Sequence, residues 1–79
     1  MNINNLQKYA NVFKECFTLC DADLDESLVY QSIVTWDSVG HMLMVAHLEE
    51  AFDIMLDTDD IIDFSSYEKG KIILQKYDI

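Results

Sequence analysis

Near the start of the chain, Leu6, Tyr9, Ala10, Phe13, Cys16, Phe17 and Cys20 recur at helical spacing. The pattern predicts an amphipathic helix from about Asn4 to Cys20, with one stripe turned to the core. Residues 21–36 lose that period and mix acids with isolated apolar anchors at Leu24, Leu28, Ile33 and Trp36. A long loop is expected there, with at most a short helical turn, pinned to the core by those anchors. Such a loop in so small a unit is a place to look for function. Asp37 offers an N-cap carboxylate to a second helix from Ser38 to about Phe52. Asp57 to Ile62 fits a short helical turn capped by Asp57 or Thr58. Ser65 and Glu68 stand at capping-box spacing and open a last helix to about Tyr77. No segment alternates as a strand would. The expected fold is therefore all-α: a small bundle of three main helices plus a short fourth, with a long loop between the first and second.

The second helix is apolar on two arcs when its residues are placed at 100° intervals. Met44, Val45, Leu48, Ala51 and Phe52 form one arc, wide enough to bury against the other helices. Val39, Met42, Leu43 and Ala46 form the other. Two readings follow. Either the domain wraps the helix and buries both arcs, or the second arc is a binding surface with acids as its rim.

Composition narrows the class. A chain of 79 residues makes one domain, spanning 1–79. With 51% hydrophobic residues it builds a core and is no disordered acidic tail. No apolar run approaches the roughly 20 residues that span a bilayer. Met1 to Asn5 shows neither the basic nor the apolar region of a secretory signal, so the expected compartment is cytoplasmic.

Charge changes the picture more. Fifteen acids face five basic residues, all lysine, for a net charge of -10. All the acids except Asp78 lie between Glu15 and Glu68, a stretch with no Lys or Arg. That surface repels nucleic-acid phosphates and anionic membranes, so neither is an expected partner. It suits fast association with basic protein surfaces, with plain solubility as the simpler use.

Most candidate chemistry fails on spacing. Cys16 and Cys20 are one helical turn apart and read as core packing, not as a redox or zinc pair. Asp21, Asp23 and Asp25 begin a calcium-loop pattern, but Glu26 stands where Gly is needed and Ser32 where Glu is needed. His41 and His47 point to different faces, so no metal site is expected. Trp36 either braces the loop or lines a surface beside Ser38. No spaced Ser/His/Asp set appears, and the chain is not expected to be an enzyme.

Ser38 remains. It stands at the first turn of the second helix, where free N–H groups and the helix dipole favour an anionic group. A serine there is, on physics alone, most often a cap.

The run Trp36-Asp37-Ser38-Val39-Gly40-His41-Met42, followed by Leu48-Glu49-Glu50-Ala51-Phe52, resembles the acyl carrier proteins. Their hallmark is Asp-Ser-Leu at the start of the second helix, with Glu-Glu-x-Phe closing it. Helix order, length and acidity extend the likeness over nearly the whole chain. Val39 for the usual Leu, with Gly40 and His41 after it, is more like a specialised, stand-alone carrier than a housekeeping one. The resemblance implies a 4′-phosphopantetheine arm on Ser38, installed from coenzyme A by a separate phosphopantetheinyl transferase with magnesium. It implies that Asp37, Val39, Met42, Ala46, Glu49 and Glu50 meet partner enzymes, which would load and use acyl groups and present basic patches. Carriers of this kind generally work as monomers. The competing expectation is an unmodified acidic interaction protein, such as a mimic of nucleic-acid charge, for which Ser38 is dispensable. On the carrier reading, Ser38→Ala removes function and costs the fold only a cap, about 1 kcal/mol.

Overall fold

The computed structural model describes residues 1–79 and contains four helices and no β-strand. They are α1 (Ile3–Phe17), α2 (Ser38–Phe52), α3 (Thr58–Asp63) and α4 (Tyr67–Gln75). A 3-10 turn at Asp21–Asp23 is the helical turn expected in the long loop. The all-α expectation holds, with three main helices and a short one.

Helix ends follow local chemistry. Asn2 caps α1 by accepting the Asn5 N–H at 2.8 Å. The helix stops at Phe17 and not at Cys20, because Thr18 turns into the left-handed region with φ 57°. Cys20 is therefore not a core residue. It is exposed, and both its N–H and its thiol donate to Asp23 Oδ2, at 3.0 and 3.2 Å. Cys16, still on the helix, is half-buried against the core. The start of α4 also shifts by one residue. Ser66, not Ser65, is the N-cap and accepts the Lys69 N–H at 2.9 Å, so the expected capping box with Glu68 does not form. At the far end α4 stops at Gln75, short of Tyr77.

One apolar cluster holds the elements together, with Phe13 at its centre. Its ring lies 5.0 Å from those of Tyr9 and Tyr67, 5.4 Å from Trp36 and 5.6 Å from Phe17. Edge-to-face geometry adds to simple area burial at such distances. Tyr9 is sealed inside, and its hydroxyl donates to the Tyr67 carbonyl at 2.6 Å. Burial pushes that phenol well above its ordinary pKa.

The long loop is anchored as its sequence suggests: Leu28 and Trp36 are buried, Leu24 and Ile33 half-buried. The Leu28 carbonyl accepts the Tyr67 N–H at 2.9 Å, and the Tyr30 N–H donates to Ser65 at 2.8 Å. These bonds frame an isolated antiparallel bridge between Val29 and Ser66. The middle of the loop is thus clamped to the junction of α3 and α4. Its last turn runs close over α2, where only Gly40 leaves room. A Cβ at position 40 would run into the Thr35 carbonyl and crowd the Phe17 ring.

Candidate functional site at the start of α2

Asp37 ends the loop in extended conformation, and its Oδ1 accepts the Gly40 N–H at 2.8 Å. The cap of α2 therefore belongs to Asp37. Ser38, the first helical residue, is left with an exposed hydroxyl that takes no part in capping. Its one partner is the Tyr30 hydroxyl, 3.3 Å away. Ser38→Ala accordingly removes no cap, which corrects the cost expected from sequence.

The two arcs of α2 have different fates. Met44, Val45 and Leu48 are buried. Val39, Met42 and Leu43 remain 69%, 53% and 54% exposed, and Ala46 is exposed beside them. The reading in which the domain wraps both arcs is excluded. An apolar strip thus runs down the helix from Ser38, on a face the bundle does not use.

Beside Ser38 a cleft of about 360 Å³ opens between α2, α3 and the loop. Met42, Ile61, Ile62 and Phe64 give it apolar walls, and Tyr30, Ser38, His41 and Ser65 supply polar atoms. His41, half-buried, lines the cleft and spends both ring nitrogens on structure. The Trp36 indole N–H donates to Nδ1 at 3.0 Å, and Nε2 meets the Ile61 carbonyl at 2.9 Å. An indole only donates, so Nδ1 is the acceptor and Nε2–H the donor. Trp36 itself is fully buried, stacked on Phe17 at 5.3 Å, and braces the loop as the first of its two readings held.

The acids expected to meet partners are placed differently from one another. Glu50 is exposed, whereas Glu49 is half-buried and its Oε2 accepts the Leu56 N–H at 3.0 Å. That bond fixes the turn after α2. Asp37 is exposed with one oxygen committed to Gly40. His47 is exposed and apart from the cleft-lining residues.

Tyr30 and the α3 side of the cleft lie beside Ser38, and sequence reasoning missed them. Tyr30 lies eight positions away through a non-repetitive loop, so no periodicity connects the two. His41 is legible in the sequence as a neighbour of Ser38: three residues on along a helix, it shares that face, and it is half-buried there. Comparison with protein-family models, with curated proteins and with solved structures finds no match for this chain. No helix is long and apolar enough to cross a membrane.

Proposed function

We propose that this chain carries acyl groups as thioesters on a 4′-phosphopantetheine arm attached to Ser38 and delivers them to biosynthetic enzymes. The observation that supports this reading best is the freedom of the Ser38 hydroxyl. It is exposed at the first turn of α2 and relieved of capping by Asp37. A transferase can reach it without unwinding the helix. The residues present fit the arm: a reachable hydroxyl, an apolar cleft beside it and an exposed apolar strip below it.

In the transfer, Ser38 Oγ attacks the phosphorus next to pantetheine in coenzyme A and forms the new P–O bond. The pyrophosphate linkage breaks, adenosine 3′,5′-bisphosphate leaves, and the Ser38 proton passes to the transferase. Once attached, the arm supplies a thiol that holds an acyl group as a reactive thioester. Val39, Met42 and Ala46 offer apolar surface to the enzymes that load and use it, and Glu50 and Asp37 offer charge to their basic patches. Glu49 contributes one free oxygen at most. The net charge of -10 hastens these encounters. His41, with both nitrogens engaged, leaves Ser38 without a base, which favours a carrier over a hydrolase. The reading includes a monomer working in the cytoplasm.

The test is incubation with coenzyme A, magnesium and a broad-specificity phosphopantetheinyl transferase, read by intact mass. One phosphopantetheine is expected on the native chain and none on Ser38→Ala. No addition to a folded sample by several such transferases would sink the carrier reading in favour of an unmodified acidic interaction protein.

A further inference from the structure

We propose that Tyr30 is a positioning residue for the modified Ser38, its hydroxyl donating a hydrogen bond to the phosphate ester there. The inference rests on the carrier reading above and adds a role for a loop residue that the motif around Ser38 does not contain.

The placement of Tyr30 is built and not incidental. Its backbone N–H is held by the Ser65 carbonyl at 2.8 Å, and two residues earlier Leu28 accepts from Tyr67 at 2.9 Å. On the other side, the Gln31 N–H donates to the Trp36 carbonyl at 3.0 Å. The ring stands edge-on to Trp36 and to His41, with centroids 6.4 and 5.5 Å away. Those two side chains are themselves tied together by the indole–imidazole bond. The hydroxyl at the end of this braced ring has Ser38 Oγ as its sole partner in the chain.

As the protein stands, either hydroxyl can donate in that pair. Esterification removes the ambiguity. Ser38 Oγ loses its proton and becomes an acceptor, bonded to a phosphorus that bears charged oxygens. Tyr30 then has only one available role, that of donor, and a bond from it to a charged non-bridging oxygen of that phosphate is charge-assisted and stronger than the present one to Ser38 Oγ.

Electrostatics gives this neutral donor its importance. None of the residues lining the cleft at Ser38 is Lys or Arg. Three of the lysines, Lys14, Lys71 and Lys76, are already paired with Asp21, Glu68 and Asp60. Asp37 adds a negative group next door, with one oxygen on Gly40. A phosphodiester on Ser38 thus enters an acidic surface without a cation in its lining, and beside the N–H groups of the first turn of α2 the chain offers it a hydroxyl donor fixed by two aromatic neighbours. Holding the phosphate sets the direction in which the arm leaves the helix.

Wild type and Tyr30→Phe, which keeps the ring and its packing, are each treated with the transferase and followed by mass and by 31P NMR. Both should gain one phosphopantetheine. In the variant the phosphodiester resonance should shift toward that of the urea-unfolded modified chain and narrow, as the phosphate gains mobility. Independently of any variant, the Tyr30 Cζ resonance of labelled wild type should move on modification, while those of Tyr9, Tyr67 and Tyr77 stay. Identical 31P shift and width in the two proteins, or an unmoved Tyr30 Cζ, would overturn the proposal and leave the carrier reading standing. Addition to wild type alone would place the hydroxyl's role in the transfer step instead, and overturns a role in holding the product. No addition to either protein removes both proposals.

Discussion

The indole N–H of Trp36 donates to His41 Nδ1 at 3.0 Å, and through the other ring nitrogen His41 reaches the Ile61 carbonyl at 2.9 Å. One imidazole thus joins the end of the long loop, the first turn of α2 and the middle of α3. The relation matters because Ser38 is flanked by all three. On the carrier reading the Ser38 hydroxyl is exposed while the backbone that presents it is held still, and this bridge is what holds it.

Replacing His41 by Leu keeps bulk and leaves the Trp36 N–H and the Ile61 carbonyl without their partner. Losing such bonds at part-buried groups costs about 1–3 kcal/mol. Urea unfolding should show a lower midpoint with an unchanged slope. Trp36 is the one tryptophan in the chain, so its fluorescence reports on the bridge directly. An unchanged midpoint would mean that the bridge does not constrain the site.

Asp37 and Ser38 should separate cleanly. Asp37→Ala removes the carboxylate that accepts the Gly40 N–H and should cost about 1 kcal/mol. Asp37→Asn keeps an acceptor and should recover most of that loss. Ser38→Ala removes only an exposed hydroxyl and should stay within about 0.5 kcal/mol of wild type. Chemical denaturation of the three variants decides the order. A Ser38→Ala loss as large as that of Asp37→Ala would return the capping role to the serine.

A second charged cluster sits at the far end of the chain. The buried Asp60 carboxylate accepts from Lys76 Nζ and from the Tyr77 hydroxyl, both at 2.5 Å. The Lys76 bond first, and then the tyrosine, hold Asp60 below its usual value of 3.8. A carboxylate depressed in the folded state stabilises at pH above its unfolded value, and that contribution fades as pH falls through the folded one. The stability gap between wild type and Asp60→Asn should therefore be full near neutrality and close as pH drops below 3.8. Lys76 is raised above 10.5 by the same pair, so the gap should also shrink as pH climbs through the lysine's folded value. The gap is the right readout, since absolute stability also tracks relief of the net negative charge. A gap that persists undiminished in strong acid would assign it to packing and not to the ion pair.

Much of this fold is legible in sequence because its helices are written in their caps and periods. Asp37 before Ser38 fixes the start of α2, and the two arcs of that helix are read correctly as separate faces. Whether the second arc is buried along with the first is not written there. It depends on how the loop and α3 pack, and the exposure of Val39, Met42 and Leu43 appears only with the bundle assembled. The end of α1 is not legible, because a β-branched Thr18 takes the left-handed geometry usually given to Gly, and no residue type announces it. Likewise Ser65 and Ser66 are both competent caps, and the bridge from Val29 to Ser66 accompanies the choice of the second. Around Ser38, the neighbours on α2 follow from helical spacing. Tyr30, Ile61 and Phe64 arrive through the loop clamp and tertiary packing, which leave no local pattern.

Gly40 couples fold to site most directly. The Thr35 carbonyl comes so close to α2 that any Cβ at position 40 would overlap it, and the Phe17 ring would stand 3.2 Å away. A backbone carbonyl cannot step aside as the tip of a flexible side chain can. Gly40→Ala gains helix propensity, worth about 1 kcal/mol. The overlap opposes this with an overpacking cost of about 1–3 kcal/mol, so the net change is a loss. The displaced segment is Thr35-Trp36-Asp37, which carries both the indole of the His41 bridge and the cap of α2. Stability and modification of Ser38 should therefore fall together in this variant. His47→Ala, at an exposed position on the same helix, should change neither. Urea midpoints and initial rates of phosphopantetheine addition, measured on the same samples, test the coupling. A Gly40→Ala protein that is destabilised yet modified at the wild-type rate would show that Ser38 is presented by α2 alone, without help from the loop.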